Sequence, residues 1–203
     1  MVKDGYKFAL PLLALGALAF WAGWWWGGLL LVLLAGFVVY FFRDPERLIP
    51  TDLEAIVSPA DGRVIEVIEE GRNGQAGQRV SIFLSVFDVH VNRVPWAGKI
   101  EKMEYRRGRF LAAMRAQASL ENEQNVIEFA TRRGPVVVKQ VAGLIARRIL
   151  CWKSPGDEVV TGERLGMIRF GSRVDIWLPA GADLLVRRGQ HVAGGSTILA
   201  RWK

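Results

Sequence analysis

The chain changes character at residue 42. From Phe8 to Phe42 it runs 35 residues without a charged side chain, and beyond that apolar and polar residues alternate in short bursts. The first stretch exceeds the roughly 20 apolar residues of one membrane-crossing helix and just reaches what two need. With Trp24-Trp25-Trp26 followed by Gly27-Gly28 near its middle, it predicts a transmembrane helical hairpin that turns at the glycine pair, in preference to one long tilted helix. Lys3 and Lys7 before the run and Arg43 and Arg47 after it favour the cytoplasmic side for both ends. A cleaved signal peptide fits less well, because no short apolar core with a small-residue cleavage site can be marked off. Residues 1–42 are therefore expected to anchor a separate domain, 43–203, to a cell membrane on its cytoplasmic face.

Asp44-Pro45 and Ile49-Pro50 break the helical pattern, and period-two alternation takes over. It predicts strands at Ile56–Ser58, Gly62–Ile68, Arg79–Phe83, Gly98–Tyr105, Gln124–Ala130, Pro135–Val141, Arg164–Phe170, Arg173–Leu178 and Ala182–Val186. Residues 71–77 read as a hairpin-type loop, and Phe110–Leu120 as a short helix or mobile flap. The fold is thus expected to be mostly β. Gly156-x-x-Val159-x-x-Gly162 recurs as Gly189-x-x-Val192-x-x-Gly195, each copy followed by an apolar strand. That repeat is similar to the half-units of lipoyl- and biotinyl-type sandwiched barrels, so a sandwiched-barrel β domain is expected behind the hairpin.

A net charge of +7 and a pI near 10.0 suit either nucleic acid or an anionic membrane. The arginines lie in scattered pairs, such as Arg106-Arg107, Arg132-Arg133 and Arg187-Arg188, without a zinc-knuckle or RNA-binding signature. Membrane phosphates are the better partner, and no nucleic acid is expected. The lone Cys151 rules out an internal disulfide framework and a cysteine-based zinc site, and reads as a buried small hydrophobe beside Trp152. No metal is expected.

Candidate chemistry centres on Phe170-Gly171-Ser172, where two predicted strands meet. Glycine leaves its carbonyl open, and the following hydroxyl lies one carbon from its own amide. That arrangement suits an N→O acyl shift, after which β-elimination and hydrolysis would leave a pyruvoyl group on residue 172. A tight bend is the ordinary alternative. Asp61 in Ser58-Pro59-Ala60-Asp61-Gly62 is either a turn residue or an acid that orients a histidine. His90 is either a satisfied strand histidine or a proton carrier. His191 reads as a solvated loop residue, and Gly195-Ser196-Thr197 offers a second Gly-Ser pair.

Four blocks in order carry a resemblance: Phe42-Arg43-Asp44-Pro45, Ser58-Pro59-Ala60-Asp61-Gly62, Phe87-Asp88-Val89-His90-Val91-Asn92-Arg93-Val94-Pro95, and the Gly171-Ser172 block. Together, over about residues 41–203, they resemble the phosphatidylserine decarboxylase family in its short form. The resemblance implies self-cleavage between Gly171 and Ser172, with fragments 1–171 and 172–203 remaining associated. It also implies a pyruvoyl cofactor made from Ser172 and decarboxylation of phosphatidylserine to phosphatidylethanolamine. Asp61 matches the aspartate that supports the histidine partner in self-processing, and His90 the first histidine of the family's block, assigned to proton transfer at the substrate α-carbon. The long form carries a second histidine where this chain has Arg93, which cannot serve as an ordinary base. Either His90 then does double duty, or Asp61 assists Ser172 directly or through water. Arg93 and Asn92 are candidates for binding the substrate, with an Arg93 ion pair to Asp88 or Glu123 as the alternative. Gly195-Ser196-Thr197 looks like the long form's processing site, but the flanking glycines and Pro179 match at Gly171-Ser172. Self-association into a homo-oligomer stays open. Two rival readings are a non-enzymatic, membrane-anchored lipoyl-like adaptor, and pyruvoyl chemistry on another amine.

Overall fold

The apolar N-terminal run folds as helices α1, Lys3–Trp21, and α2, Trp25–Phe41, which pack on one another as a hairpin. The turn falls at Ala22-Gly23-Trp24, earlier than the glycine pair. Gly27 and Gly28 lie inside α2 because the Trp24 indole and the Phe20 ring press on them, leaving no room for a Cβ. Among the described residues no helix is long and apolar enough to cross a membrane, which corrects the expected spans. The 17 residues of α2 reach roughly 26 Å, short of the ~30 Å hydrocarbon core. The first turns of α1 are occupied by Lys3, Asp4 and Lys7, with Lys7 and Asp4 paired at 3.0 Å.

This computed structural model describes residues 1–72, 76–114, 117–144, 148–169 and 171–203, and falls into two compact units, Met1–Glu46 and Arg47–Lys203. The second unit contains β1 (Ala55–Val57), β2 (Gly62–Glu69), β3 (Gly77–Leu84), β4 (Val91–Arg93), β5 (Gly98–Arg106), α3 (Ala118–Glu121), β6 (Gln124–Thr131) and β7 (Gly134–Ala142). It continues through β8 (Ile149–Cys151), β9 (Glu158–Val159), β10 (Arg164–Ile168), β11 (Ser172–Pro179), β12 (Ala182–Leu184), β13 (His191–Val192) and β14 (Ile198–Trp202). All the long period-two strands form as expected. Four short ones, β4, β8, β9 and β13, escape the pattern, as does β14, whereas the three-residue β1 and β12 follow it. Part of the 71–77 loop, part of the 110–120 segment, Arg147 and Phe170 lie outside the described residues.

An eight-stranded antiparallel sheet runs in the order β13-β2-β3-β11-β7-β6-β5-β9, beside two three-stranded sheets, β1-β14-β12 and β4-β10-β8. Among the described residues the sheets do not close into a barrel: the large sheet ends on two-residue strands, β13 and β9, that do not pair with each other. Nor do β10 and β11 form one ribbon. They lie in different sheets, and Gly171, at φ +57°, takes the chain from one towards the other.

The order is symmetric about the β11–β7 pair. β4 to β10 form one continuous half, while β1-β2-β3 and β11 to β14 form an equivalent half that the first interrupts. Hydrogen bonds repeat with it. Val57 N–H donates to the Pro95 carbonyl and Arg93 N–H to Pro59, both at 2.9 Å, while Gly195 N–H to Ser58 and Gly162 N–H to Val94 are both 2.8 Å. The four glycines of the repeated motif all take positive φ, between +76° and +96°. One register irregularity recurs too, between Val64 and Glu66 in β2 and between Ile100 and Lys102 in β5.

The inner face of the large sheet carries the core, including Val64, Ile82, Leu84, Val138, Val174 and Ile176. Its outer face is unexpectedly buried and charged. Arg173 donates to Asp175 (2.5 Å), Ser81 (2.8 Å) and Glu66 (3.1 Å), and Arg79 to Glu66 (2.8 Å) and Glu70 (2.6 Å). Ser119 of α3 covers Asp175, donating to it at 2.7 Å. Burial there pulls the Lys139 pKa down to about 8, against the opposing pull of Asp175. Cys151 is half-buried on β8, and burial pushes its thiol pKa up.

Candidate active site

Ser172 is the first residue of β11, flanked in register by Leu84 of β3 and Ala142 of β7. Alternation turns its side chain to the inner face with Val174 and Ile176. It is fully buried, and its Oγ has no hydrogen-bond partner among the described residues. A buried hydroxyl left this way forfeits about 1–3 kcal/mol.

His90 enters β4 from the neighbouring sheet and is likewise fully buried. Its Nδ1 lies 3.0 Å from the Asp88 carbonyl oxygen, and its Nε2 lies 3.2 Å from the Gly171 amide nitrogen. A carbonyl only accepts and an amide N–H only donates. The ring must therefore carry its proton on Nδ1 and present a lone pair at Nε2. A neutral imidazole is thus fixed one residue from the Gly171–Ser172 peptide bond, beside an uncommitted hydroxyl.

The Asp88 carboxylate secures the turn that delivers this histidine. One oxygen accepts from the amide and hydroxyl of Ser85 at 2.8 and 2.7 Å. The other lies 3.1 Å from Nε2 of His191, which is 62% exposed but paired rather than merely solvated.

Asp61 belongs to a different cluster. Its carboxylate accepts two bonds from Arg47, at 2.8 and 2.9 Å, and one from the Gly194 N–H at 2.8 Å. The link to His90 runs through packing. The 193–195 turn that Asp61 fastens lies against Arg93, where a Cβ on Gly195 would meet Arg93 Cγ at 3.4 Å. Arg93 is buried in β4, two residues beyond Val91, and donates to the Gly162 carbonyl at 3.3 Å. Asn92, buried in the same strand, accepts from Gln140 Nε2 at 2.8 Å, while its own Nδ2 has no partner among the described residues. Gln140 in turn accepts from Asn125 at 3.1 Å. Sequence reasoning missed Gln140 and Asn125, whose places in alternating strands look like ordinary polar positions. Ser196, of the second Gly-Ser pair, sits in the turn between β13 and β14.

The structure thus brings an imidazole nitrogen onto the Gly171 amide and a buried, unpartnered hydroxyl onto the next residue, while Asp61 stands apart. Residues 34–200 match the family model described as phosphatidylserine decarboxylase. A phosphatidylserine decarboxylase proenzyme from Solibacter usitatus (strain Ellin6076) is 49% identical over 201 residues, covering 99% of this chain and 96% of that protein.

Proposed function

The chain belongs to the phosphatidylserine decarboxylase family, and from that premise we propose that it is made as a proenzyme that severs itself between Gly171 and Ser172, leaving a pyruvoyl group on residue 172 for the conversion of phosphatidylserine to phosphatidylethanolamine. The observation that carries this reading is the His90 Nε2 lone pair at Gly171, next to the unpartnered, buried Oγ of Ser172. An orphaned hydroxyl fits a residue awaiting conversion better than it fits a bend.

His90 accepts the Ser172 proton as Oγ attacks the Gly171 carbonyl, and returns it to the departing amide nitrogen. It therefore does double duty, in self-cleavage and in proton transfer at the substrate α-carbon. Asp61 acts as a positioning residue by holding the turn that packs against Arg93 in β4. Arg93 stays charged and contributes positive potential toward an anionic substrate. A pyruvoyl group at residue 172 would supply an electrophilic carbonyl for the substrate amine and an electron sink for decarboxylation. Residues 172–203 stay bound after cleavage, because β11 is hydrogen-bonded along its length to β3 on one side and along most of it to β7 on the other. The sandwiched-barrel likeness describes the paired halves, short of closure.

The hairpin serves as the membrane attachment on the cytoplasmic face. Supporting this, its side chains turned away from the helix pair are apolar, with Trp21 89% and Trp26 81% exposed. Shallow insertion into one leaflet suits its lengths better than crossing. The adaptor reading gives way to membership of an enzyme family.

Intact mass tests the proposal. Wild type should appear as fragments 1–171 and 172–203, the second with a blocked N-terminus. Ser172→Ala should remain one inactive chain. An active wild-type protein of full mass would remove self-cleavage from the account.

A further inference from the structure

His90 and Asn92 are two residues apart in the extended chain entering β4, so their side chains leave it on the same side. That side meets the inner face of the large sheet, where His90 reaches Gly171 and Asn92 reaches Gln140. In β7, Gln140 pairs with Val174 and Ala142 with Ser172, so Gln140 and Ser172 are diagonal neighbours on one face. Such neighbours stand ~7 Å apart, within reach of a side chain placed between them. Three amides run in line: Asn125 donates to Gln140, and Gln140 donates to Asn92. The line ends at the Asn92 Nδ2, a buried donor without a partner among the described residues, in the neighbourhood of the Ser172 Oγ, a buried oxygen equally without one. Gln140 and Asn92 are both fully buried.

We infer that the Asn92 side-chain N–H is the donor to the oxygen carried by Ser172, and that Gln140 is the positioning residue that fixes Asn92 in the orientation which presents it. The inference rests on the self-cleavage reading above and assigns two residues to it. The Asn92 Nδ2 and the Ser172 Oγ do not bond in the resting chain; as Oγ moves onto the Gly171 carbonyl, a donor reaching one of its lone pairs turns its proton toward His90. In the acyl shift the Oγ–C bond to Gly171 forms and the C–N bond breaks, with the hydroxyl proton passing through His90 to the freed amine. In the elimination His90, neutral again, takes the Ser172 α-proton, the Cβ–Oγ bond breaks, and the electron pair leaves on Oγ as part of the Gly171 carboxylate. Asn92 stabilises that developing charge. The dehydroalanine left behind adds water and loses ammonia.

Loss of a donor to a developing oxyanion costs about 10²–10³-fold in rate. The test uses the full-length chain, with maturation followed by intact mass and aliquots treated with neutral hydroxylamine, which cleaves an ester but spares an amide. Asn92→Asp keeps the acceptor for Gln140 and removes the donor. Gln140→Glu keeps the shape but offers Asn92 only an acceptor, which turns the amide away from Ser172. Both should slow maturation, by ~10²-fold and at least ~10-fold respectively. Both should also accumulate a species of unchanged mass that hydroxylamine splits between Gly171 and Ser172, releasing a fragment that begins with serine. Maturation within twofold of wild type in either variant overturns the inference, and so does slow maturation without a hydroxylamine-sensitive species. If Asn92→Asp lacks a native melting transition, Gln140→Glu decides alone. A wild-type chain that never splits would instead overturn the self-cleavage reading beneath it.

Discussion

The two halves of the β unit share a scaffold and divide the chemistry. Val94-Pro95-Trp96-Ala97-Gly98 in the continuous half occupies the place of Ser58-Pro59-Ala60-Asp61-Gly62 in the interrupted one, and each proline carbonyl accepts from the leading strand of the other half at 2.9 Å. Where they differ, the site appears. Just before and within the leading strand, one half has His90 and Asn92 where the other has Glu54 and Ile56. After the third strand, one half turns directly through Arg132-Arg133 into Gly134, whereas the other, after Leu84, receives the whole continuous half and resumes at Ser172. The proposed scissile bond is thus the seam at which one half rejoins the other. A break there interrupts no strand, which is why a cut chain can keep its sheet.

The largest effect should separate His90 from its counterpart. His90→Ala should slow self-cleavage by at least ~10²-fold, the usual loss for a proton-transfer group. Glu54, half-buried and paired with Arg132 and Arg133, occupies the equivalent position. Glu54→Gln should mature at the wild-type rate, as judged by the fraction of split chain over time. Equal effects from the two would mean that the position, and not the imidazole, matters.

A second effect tests the shared scaffold. Gly62 has φ +139°, and a Cβ there would overlap the Phe83 carbonyl oxygen. At Gly98 a Cβ would overlap the Ala130 carbonyl oxygen, the equivalent contact, but without the left-handed backbone. Gly62→Ala should therefore cost about 3 kcal/mol and Gly98→Ala about 2 kcal/mol in denaturant unfolding. The reverse order would break the equivalence.

These relations were only partly legible along the chain. Long strands announce themselves by period two, because one face of each packs on the core. The short strands β4, β8, β9 and β13 carry no such period, and their limits are set by partners far away in sequence. The repeat at Gly156 and Gly189 was readable because tight turns demand glycine whatever the surroundings. What hid the rest was burial on both faces of β11. Arg173 and Asp175 look solvent-facing in the pattern, yet are 2% and 0% exposed, because Arg79, Lys139 and Ser119 compensate them. The motifs supplied Asp61, His90 and Ser172. Only the fold separates Asp61 from the pair formed by His90 and Gly171, since three-dimensional proximity has no sequence period.

The central strands also differ on their outer face, where Asp175 of β11 stands opposite Lys139 of β7 in register. With its pKa lowered to about 8 by burial, Lys139 is protonated in both folded and unfolded chains below that pH. Between pH 8 and its ordinary value near 10.5, the unfolded chain binds more protons, so this group makes stability rise with pH. The rise should approach about 3 kcal/mol across the full window. Tyr105 has its pKa pushed up to about 12 by burial and its hydrogen bond to Glu123, so it acts in the opposite direction above pH 10. Urea unfolding between pH 7 and 9.5 should therefore show a rising slope that Lys139→Met removes.

The smallest effect concerns one cross-link built twice with its polarity exchanged. In the interrupted half the Asp61 carboxylate accepts from the Gly194 N–H at 2.8 Å. In the continuous half the Thr161 hydroxyl accepts from the Ala97 N–H at 3.0 Å. Both tie the turn before a long strand to the repeated glycine motif, so both support the scaffold. Asp61 does more, because it also neutralises Arg47, whose side chain is only 11% exposed. Asp61→Asn should retain an acceptor for Gly194 but lose the ion pair, costing about 2 kcal/mol, whereas Thr161→Val should cost about 1 kcal/mol. If Asp61 positions β4 through the 193–195 turn, Asp61→Asn should also slow self-cleavage, several-fold at least, while Thr161→Val leaves it unchanged. Melting curves and time courses of chain splitting on the same samples keep the two contributions apart. Matched losses of stability with matched cleavage rates would reduce Asp61 to the same structural fastening as Thr161.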